Sequence, residues 1–464
     1  MIAPSHAEQT SPAGRPSRAP CKGPAHRPVV PPCGAPYKSG SARGSARPQD
    51  GDGHAMRGVC CRCTKPPPRM MTSVAQLAPV VKPIVVGGAR PSPAGTPLET
   101  ARRLTGNSGN LAFSVAVAQS LLGGKAPVFG LNNNGQAAAQ GNIAVLPCAN
   151  YLSGDEHEAM TKRAAVIDAL DMPVVAIGLG AQAPMGGGPC ELSPDVRQFV
   201  EAVVRHRPGE APHISVRGEF TRQVMEKAGF GAHVEVLGCP SLFLNTAPDL
   251  GEQVQRRFEG GIERVAVSGW SRSIPAALES RLSALATETK GLYVVQNPKG
   301  LAMLAAGQAG DIPERMLKRF RHVLTPGLDD AASDAWAATH ARVYFNLDDW
   351  MAALRTCDFF VGGRIHGTML AIQAGVPAVC LVHDTRTLEM CQLMGLPHIP
   401  VHEAQNHPLT KDQLRRWFKF DAAAFNRNRL ALGRRTVAFL ARNGLTDPDT
   451  PLARFVAEAC ADRA

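Results

Sequence analysis

From about residue 82 the chain alternates short apolar runs with amphipathic stretches. That pattern predicts parallel sheets whose strands are joined by crossover helices. In the first half the apolar runs place strands at residues 84–86, 143–146, 174–179, 213–216 and 234–237. Between them, residues 155–170, 194–205 and 219–228 carry apolar positions at helical spacing, and Gly229 supplies a C-terminal stop for the last of these. The text turns polar through residues 245–261, and a second alternation begins, with strands expected at 265–268, 292–295, 343–345, 359–361 and 378–382. The expected boundary falls near residues 246–261. The fold class predicted is α/β, with two doubly wound Rossmann-like domains facing a cleft, residues 82–250 and 261–445. A basic helix expected over 421–443 packs across both domains with its charges turned to water. Ligands of such folds sit beyond the carboxyl ends of the strands, which directs the search for chemistry there.

Residues 1–75 do not share this pattern. The first 70 hold 13 Pro, 8 Gly and 11 Lys/Arg against 3 Asp/Glu. Such a segment buries too little apolar surface to offset chain entropy and is expected to be a disordered tail. Its composition also resembles a transit peptide, and Met70 and Met71 offer an alternative start; the residues leave these open. The tail carries most of the formal charge of +11, since the other 394 residues hold 39 Lys/Arg against 36 Asp/Glu. A nearly neutral body lacks the basic stripe that a phosphate backbone requires, so nucleic acid is not an expected partner. No apolar run approaches the about 18 residues of a spanning helix. Five of the 12 cysteines lie in the tail and the other seven are scattered singly, which fits a reduced, cytoplasmic protein. Cys60, Cys61 and Cys63 with His54 form the nearest approach to a metal cluster, and no metal or cofactor is expected.

The most informative segment starts at Asp358, where an apolar strand meets Gly362 and Gly363, and a helix opening with Arg364 and His366 runs to a stop at Gly375. A helix N-terminus attracts anions and disfavours cations. Two bases in that first turn make sense when a negatively charged ligand joins them. The plain alternative is that Arg364 pairs with a carboxylate such as Asp358 and that His366 packs as a neutral core imidazole.

Gly363-Arg364-x-His366-Gly367, followed by Ala374-Gly375-Val376-Pro377, resembles the polysaccharide pyruvyl transferase family. Four further pieces agree in order: Gly106-Asn107-Ser108-Gly109-Asn110, Gly178-Leu-Gly-Ala-Gln182, Ser215-Val-Arg217-Gly218 and Gly238-Cys-Pro-Ser241. The similarity covers roughly residues 82–400. It departs from the family at Asn110, where Asp is usual, and in about 18 residues between Gly88 and Asn107. The resemblance implies a GT-B-like pair of domains that moves the pyruvyl group of phosphoenolpyruvate onto two hydroxyls of a glycan or lipid-linked sugar, forming a ketal and releasing phosphate. It implies donor binding by Arg217, Arg364, Gly363 and Gly367, forked guanidinium groups being suited to a carboxylate and a phosphate. His366 is the expected general acid and Asp384 a base or an acceptor-orienting carboxylate. Asn107 and Asn110 would bind acceptor hydroxyls. An acceptor on a lipid carrier leaves room for peripheral membrane association.

Simpler roles exist for each. Arg217 can pair with Glu219, Asp384 can close a turn, and Asn107 and Asn110 can cap the helix starting near Leu111. Residues 178–183 match a dinucleotide fingerprint, but Pro184 and three glycines follow where its helix belongs. Asp-x-Asp pairs lie away from the core strands, and His398, His402 and His407 are loosely spaced around prolines. A nucleotide-sugar glycosyltransferase on the same fold, or a non-catalytic glycan- or anion-binding relative, remain the alternative functions.

Overall fold

The computed structural model describes residues 80–93, 107–155, 158–270 and 273–461. The expected tail, with its cysteines and His54, and Gly106 of the first motif lie outside the described residues.

Two six-stranded sheets form the body, and every strand pair is parallel. The first contains β1 (Pro83–Val86), β2 (Val128–Phe129), β3 (Ile143–Pro147), β4 (Val174–Leu179), β5 (Ile214–Val216) and β6 (Val234–Val236), in the order β2-β1-β3-β4-β5-β6. The second contains β7 (Val265–Ser268), β8 (Leu292–Val295), β9 (Ala341–Val343), β10 (Phe359–Gly362), β11 (Ala378–Val382) and β12 (His398–Pro400), in the order β12-β11-β10-β7-β8-β9. Sequential winding reverses between β1 and β3 in one sheet and between β7 and β10 in the other. At such switch points the loops beyond the strand ends part and leave a crevice. The unbroken apolar text of β3, β4, β7, β8, β10 and β11 follows from burial on both faces, since every residue of these strands is buried.

The structure differs from expectation in three respects. β2 and β12 span only two and three residues, too few for a periodic signal. A strand is expected over 343–345, yet β9 ends at Val343. Past that point the backbone leaves β8 and meets the other half, where the Phe345 carbonyl accepts from the Ser92 amide at 2.8 Å. Third, the polar stretch between the sheets is not all linker, because a helix occupies Leu250–Glu259.

That helix packs beneath the long helix Ala422–Arg442, which reaches both halves. Asn426 and Asn428 bond Gly251 and Leu393, and Arg442 reaches Glu235 in β6 of the first sheet. Its charges do not all face water: Arg429 is 1% exposed and binds the carbonyls of Asn245 and Ala247. The final helix, Pro451–Ala461, returns to pack on the π-helical turn Ala116–Leu121.

Polar contacts lock the halves together. Thr221 gives its amide and hydroxyl to Glu389 at 3.0 and 2.6 Å, and Ala183 exchanges bonds with Thr385. Among the described residues no helix is long and apolar enough to cross a membrane.

Candidate active site

β10 lies so close to β7 that a side chain at Gly362 would sit 2.2 Å from the Ser268 carbonyl. Gly363 donates to that same carbonyl at 2.9 Å, and the space a side chain would need there is filled by Ile274. Gly367 likewise makes room for Phe360 and Gln296. The three glycines therefore admit close packing, which delivers the next residues to the strand end. Arg364 caps the helix Ile365–Gln373, every residue of which is buried, and no side chain caps its N-terminus.

Arg364 turns across the β7/β10 switch point. It donates to the Gly269 carbonyl at 3.1 Å, to the Trp270 carbonyl and to Asn297 Oδ1. The suggested partner Asp358 is elsewhere, accepting from the Glu263 and Arg264 amides. Burial lowers the Arg364 pKa to about 10, and Arg386 adds to the effect. Arg364 borders a cavity of ≈ 490 Å³ walled by Trp270, Asn297 and Arg319. Trp270 holds φ at +54°, a left-handed value rare for a bulky residue and often met at functional sites.

Arg217 enters from the other half, one residue past β5. It is 1% exposed and donates to the carbonyls of Gly178 at 2.8 Å and Cys148 at 3.1 Å, with its guanidinium over the Phe113 ring. Glu219, its suggested partner, pairs with Arg222 instead. Burial, reinforced by Arg386, depresses the Arg217 pKa. Neither Arg217 nor Arg364 forms an ion pair among the described residues.

His366 lies where the halves meet. It is 5% exposed, its ring centroid is 5.5 Å from that of Phe113, and its Nε2 is 3.7 Å from Cys239 Sγ. Burial pushes its pKa well below the ordinary histidine value, and the charges of Arg217 and Arg386 push the same way. The imidazole is therefore neutral at pH 7.

Arg386 is the residue that sequence reasoning passed over. It stands two positions after Asp384, in the first turn of the helix Thr385–Met394, and its charge acts on Arg217, Arg364, His366 and His383. Its Nη2 bonds Asp384 at 3.2 Å, while its buried Nε has no partner. Asp384 caps that helix through a capping box, accepting from the Thr387 amide at 2.7 Å. Burial would raise its pKa, but Arg386 and His383 hold the carboxyl below its usual value. Asp384 is thus an ionised carboxylate with both oxygens engaged.

The other expected residues stand at the β1/β3 switch point. Asn107 accepts from the Gly109 amide at 2.9 Å, and Asn110 begins the helix Asn110–Val115. With Ser108, Phe113, Tyr151 and Arg163 they wall a cavity of ≈ 360 Å³. The two regions adjoin, because Phe113 contacts both Arg217 and His366. A side chain at Gly109 would also lie 3.2 Å from His366 Cβ, and the Ser108 amide donates to the Gln296 carbonyl.

Three guanidinium groups and a neutral imidazole gather where two Rossmann-like halves of an α/β protein meet, with the Asp384 carboxylate bonded to Arg386. The model of the polysaccharide pyruvyl transferase family matches residues 149–385, more than half of the chain, and the chain belongs to that family. No curated protein matches it in sequence. Among solved structures, MnaA of S. aureus with UDP shares 11% identity, covers 79% of this chain and 98% of its own, and has a TM-score of 0.41. Alr3699/HepE of Anabaena with UDP and glucose shares 11% identity, with coverages of 82% and 100% and a TM-score of 0.39. A putative UDP-N-acetylglucosamine 2-epimerase of Listeria monocytogenes shares 10%, with coverages of 79% and 97% and a TM-score of 0.41.

Proposed function

We propose that this protein transfers the pyruvyl group of phosphoenolpyruvate to two hydroxyls of a sugar in a polysaccharide or its precursor. The observation that carries this reading is the group of cations, the buried Arg217 and the partly buried Arg364 and Arg386, around His366. A buried charge is costly unless paired, and here hydrogen bonds to carbonyls leave the guanidinium charges of Arg217 and Arg364 unneutralised. A small ligand bearing a carboxylate and a phosphate supplies the missing anions at one stroke, and guanidinium forks match both groups. The free Nε of Arg386 is a ready donor to it.

In this reading His366 becomes protonated when the anionic donor arrives and gives that proton to the donor's methylene carbon. The double-bond electrons form the new C–H bond and leave the central carbon electrophilic. One sugar hydroxyl adds to that carbon and returns its proton to the vacated nitrogen of His366; phosphate departs with the C–O bonding pair. The second hydroxyl adds in turn, and its proton leaves with the phosphate. Two C–O bonds form, one breaks, and no cofactor or net redox change is required. Asp384, engaged by the Thr387 amide and Arg386, fits a positioning role that aims the guanidinium better than that of a free base. Gly363 and Gly367 serve the donor by letting the Arg364 loop pack against β7. The cavity at Asn107 and Asn110, sharing Phe113 with the cation cluster, is the acceptor side. Reaction in the cytoplasm, where phosphoenolpyruvate is made, completes the proposal.

The test is release of inorganic phosphate from phosphoenolpyruvate in the presence of a glycan acceptor. Wild type should release phosphate only when acceptor is present, and His366→Ala should not while retaining its unfolding temperature. Full activity in that variant would overturn the role of His366.

A further inference from the structure

The acceptor-side cavity carries a charge of its own that transfer of a pyruvyl group does not require. Arg163, on the helix Glu158–Leu170, lies with its guanidinium carbon 4.6 Å above the Tyr151 ring, and its buried Nε has no partner. No carboxylate pairs with it among the described residues. A side chain at Gly87 would sit 3.4 Å from its Nη1, so the guanidinium hangs over the turn that follows β1, at the switch point. Its field reaches inward to Cys148 and Tyr151, which also feel Arg217. Tyr151 therefore feels both cationic centres. A second orphan faces the same space: Ser108, 3% exposed, has a buried hydroxyl without a hydrogen-bond partner. Asn107 and Asn110 complete a polar wall, and Arg90 lines the cavity as a further cation.

A neutral sugar would satisfy the hydroxyl and amide groups here and leave the guanidinium of Arg163 unpaired. We infer that the acceptor sugar itself bears an oxyanion, a uronate carboxylate or a sugar phosphate, held by Arg163 over Tyr151, while its hydroxyls face Phe113 and the donor. The chemistry is a planar fork against two oxygens, with the ring platform fixing the guanidinium plane. This deepens the proposed function and rests on its placing the acceptor in this cavity.

The test compares binding of methyl β-glucuronide, galactose 1-phosphate and methyl β-galactoside to the full chain by saturation-transfer NMR. Each is titrated into wild type, Arg163→Gln and Arg163→Lys, with thermal unfolding as the check on folding. At least one charged sugar should bind wild type about tenfold more tightly than the neutral one, the scale of one hydrogen bond to a charged group. That advantage should vanish in Arg163→Gln and survive in part in Arg163→Lys. Uronate and phosphate arms identify which oxyanion is meant. Equal binding of charged and neutral sugars, no binding of any, or an advantage that persists in Arg163→Gln overturns the inference. Charge-dependent binding without phosphate release from phosphoenolpyruvate would sink pyruvyl transfer and leave the anionic subsite standing.

Discussion

Donor binding should draw a proton onto His366. Its imidazole is held well below the ordinary histidine pKa by burial, Arg217 and Arg386, so near pH 7 it carries essentially no proton. Three guanidinium groups surround the imidazole, with Asp384 and Glu279 acting on Arg364 and Glu389 on Arg217, and a bound phosphoenolpyruvate adds a carboxylate and a phosphate of about −1.5 to −2 to that cluster. An opposite charge within about 4–6 Å raises a basic group's pKa by roughly 1–3 units. The bound imidazole therefore holds more of a proton at pH 7 than the free one. The sign follows: the complex binds more protons than the free protein, so donor affinity falls as pH rises, by at most about tenfold per pH unit, the slope of one proton. Calorimetric titrations in Tris and in Pipes, whose ionisation enthalpies differ, read the proton count from the difference in heat. Because the phosphate's own ionisation shifts on binding, the decisive quantity is wild type minus His366→Gln. A wild-type count that exceeds the variant's supports the argument. Equal counts in the two proteins would refute it.

Two further outcomes follow from the packing. In Gly180→Ala the new methyl would lie 2.8 Å from Arg217 Cδ and displace the guanidinium fork without altering any charge. Donor affinity should drop about tenfold, the worth of one charge-assisted hydrogen bond, with the unfolding temperature nearly unchanged; an unaltered affinity would show that Arg217 does not touch the donor. His213, fully buried beside His233, has its pKa lowered to about 4 by burial and by that neighbour. Below pH 6.5 the unfolded chain takes a proton that the folded one refuses, so stability is lost as pH falls toward 4, by about 2 kcal/mol at pH 5. Urea unfolding at pH 7.5 and 5.0 should therefore show a shallower acid loss for His213→Phe than for wild type, and identical losses would contradict the burial argument.

The strands whose residues are all buried could be read from the sequence because burial on both faces makes their text continuously apolar. β2 and β12 could not, being too short to show a period, and β9 was displaced because Phe345 answers to Ser92 rather than to the sheet. The Gly363-Arg364-x-His366 turn was legible from chemistry alone: two bases at a helix start demand an explanation. Arg386 and Arg163 were not, since each sits on an amphipathic helix where a cation is expected to face water. The signal available for Arg386 was its place two residues beyond Asp384 at the end of β11. For Arg163 nothing in the spacing tells that its helix turns this position over Tyr151. Arg429 carries the same lesson, because a basic helix text hides which of its charges is folded inward against carbonyls.

The most direct test of the central claim is a calorimetric titration of the full chain with phosphoenolpyruvate, set beside uridine diphosphate and repeated on Arg364→Gln. Saturable binding of phosphoenolpyruvate that is weakened at least about tenfold in the variant, as loss of a charged hydrogen-bond donor requires, is the predicted result. Binding of uridine diphosphate with no uptake of phosphoenolpyruvate would contradict pyruvyl transfer and turn the same cation cluster over to a nucleotide sugar.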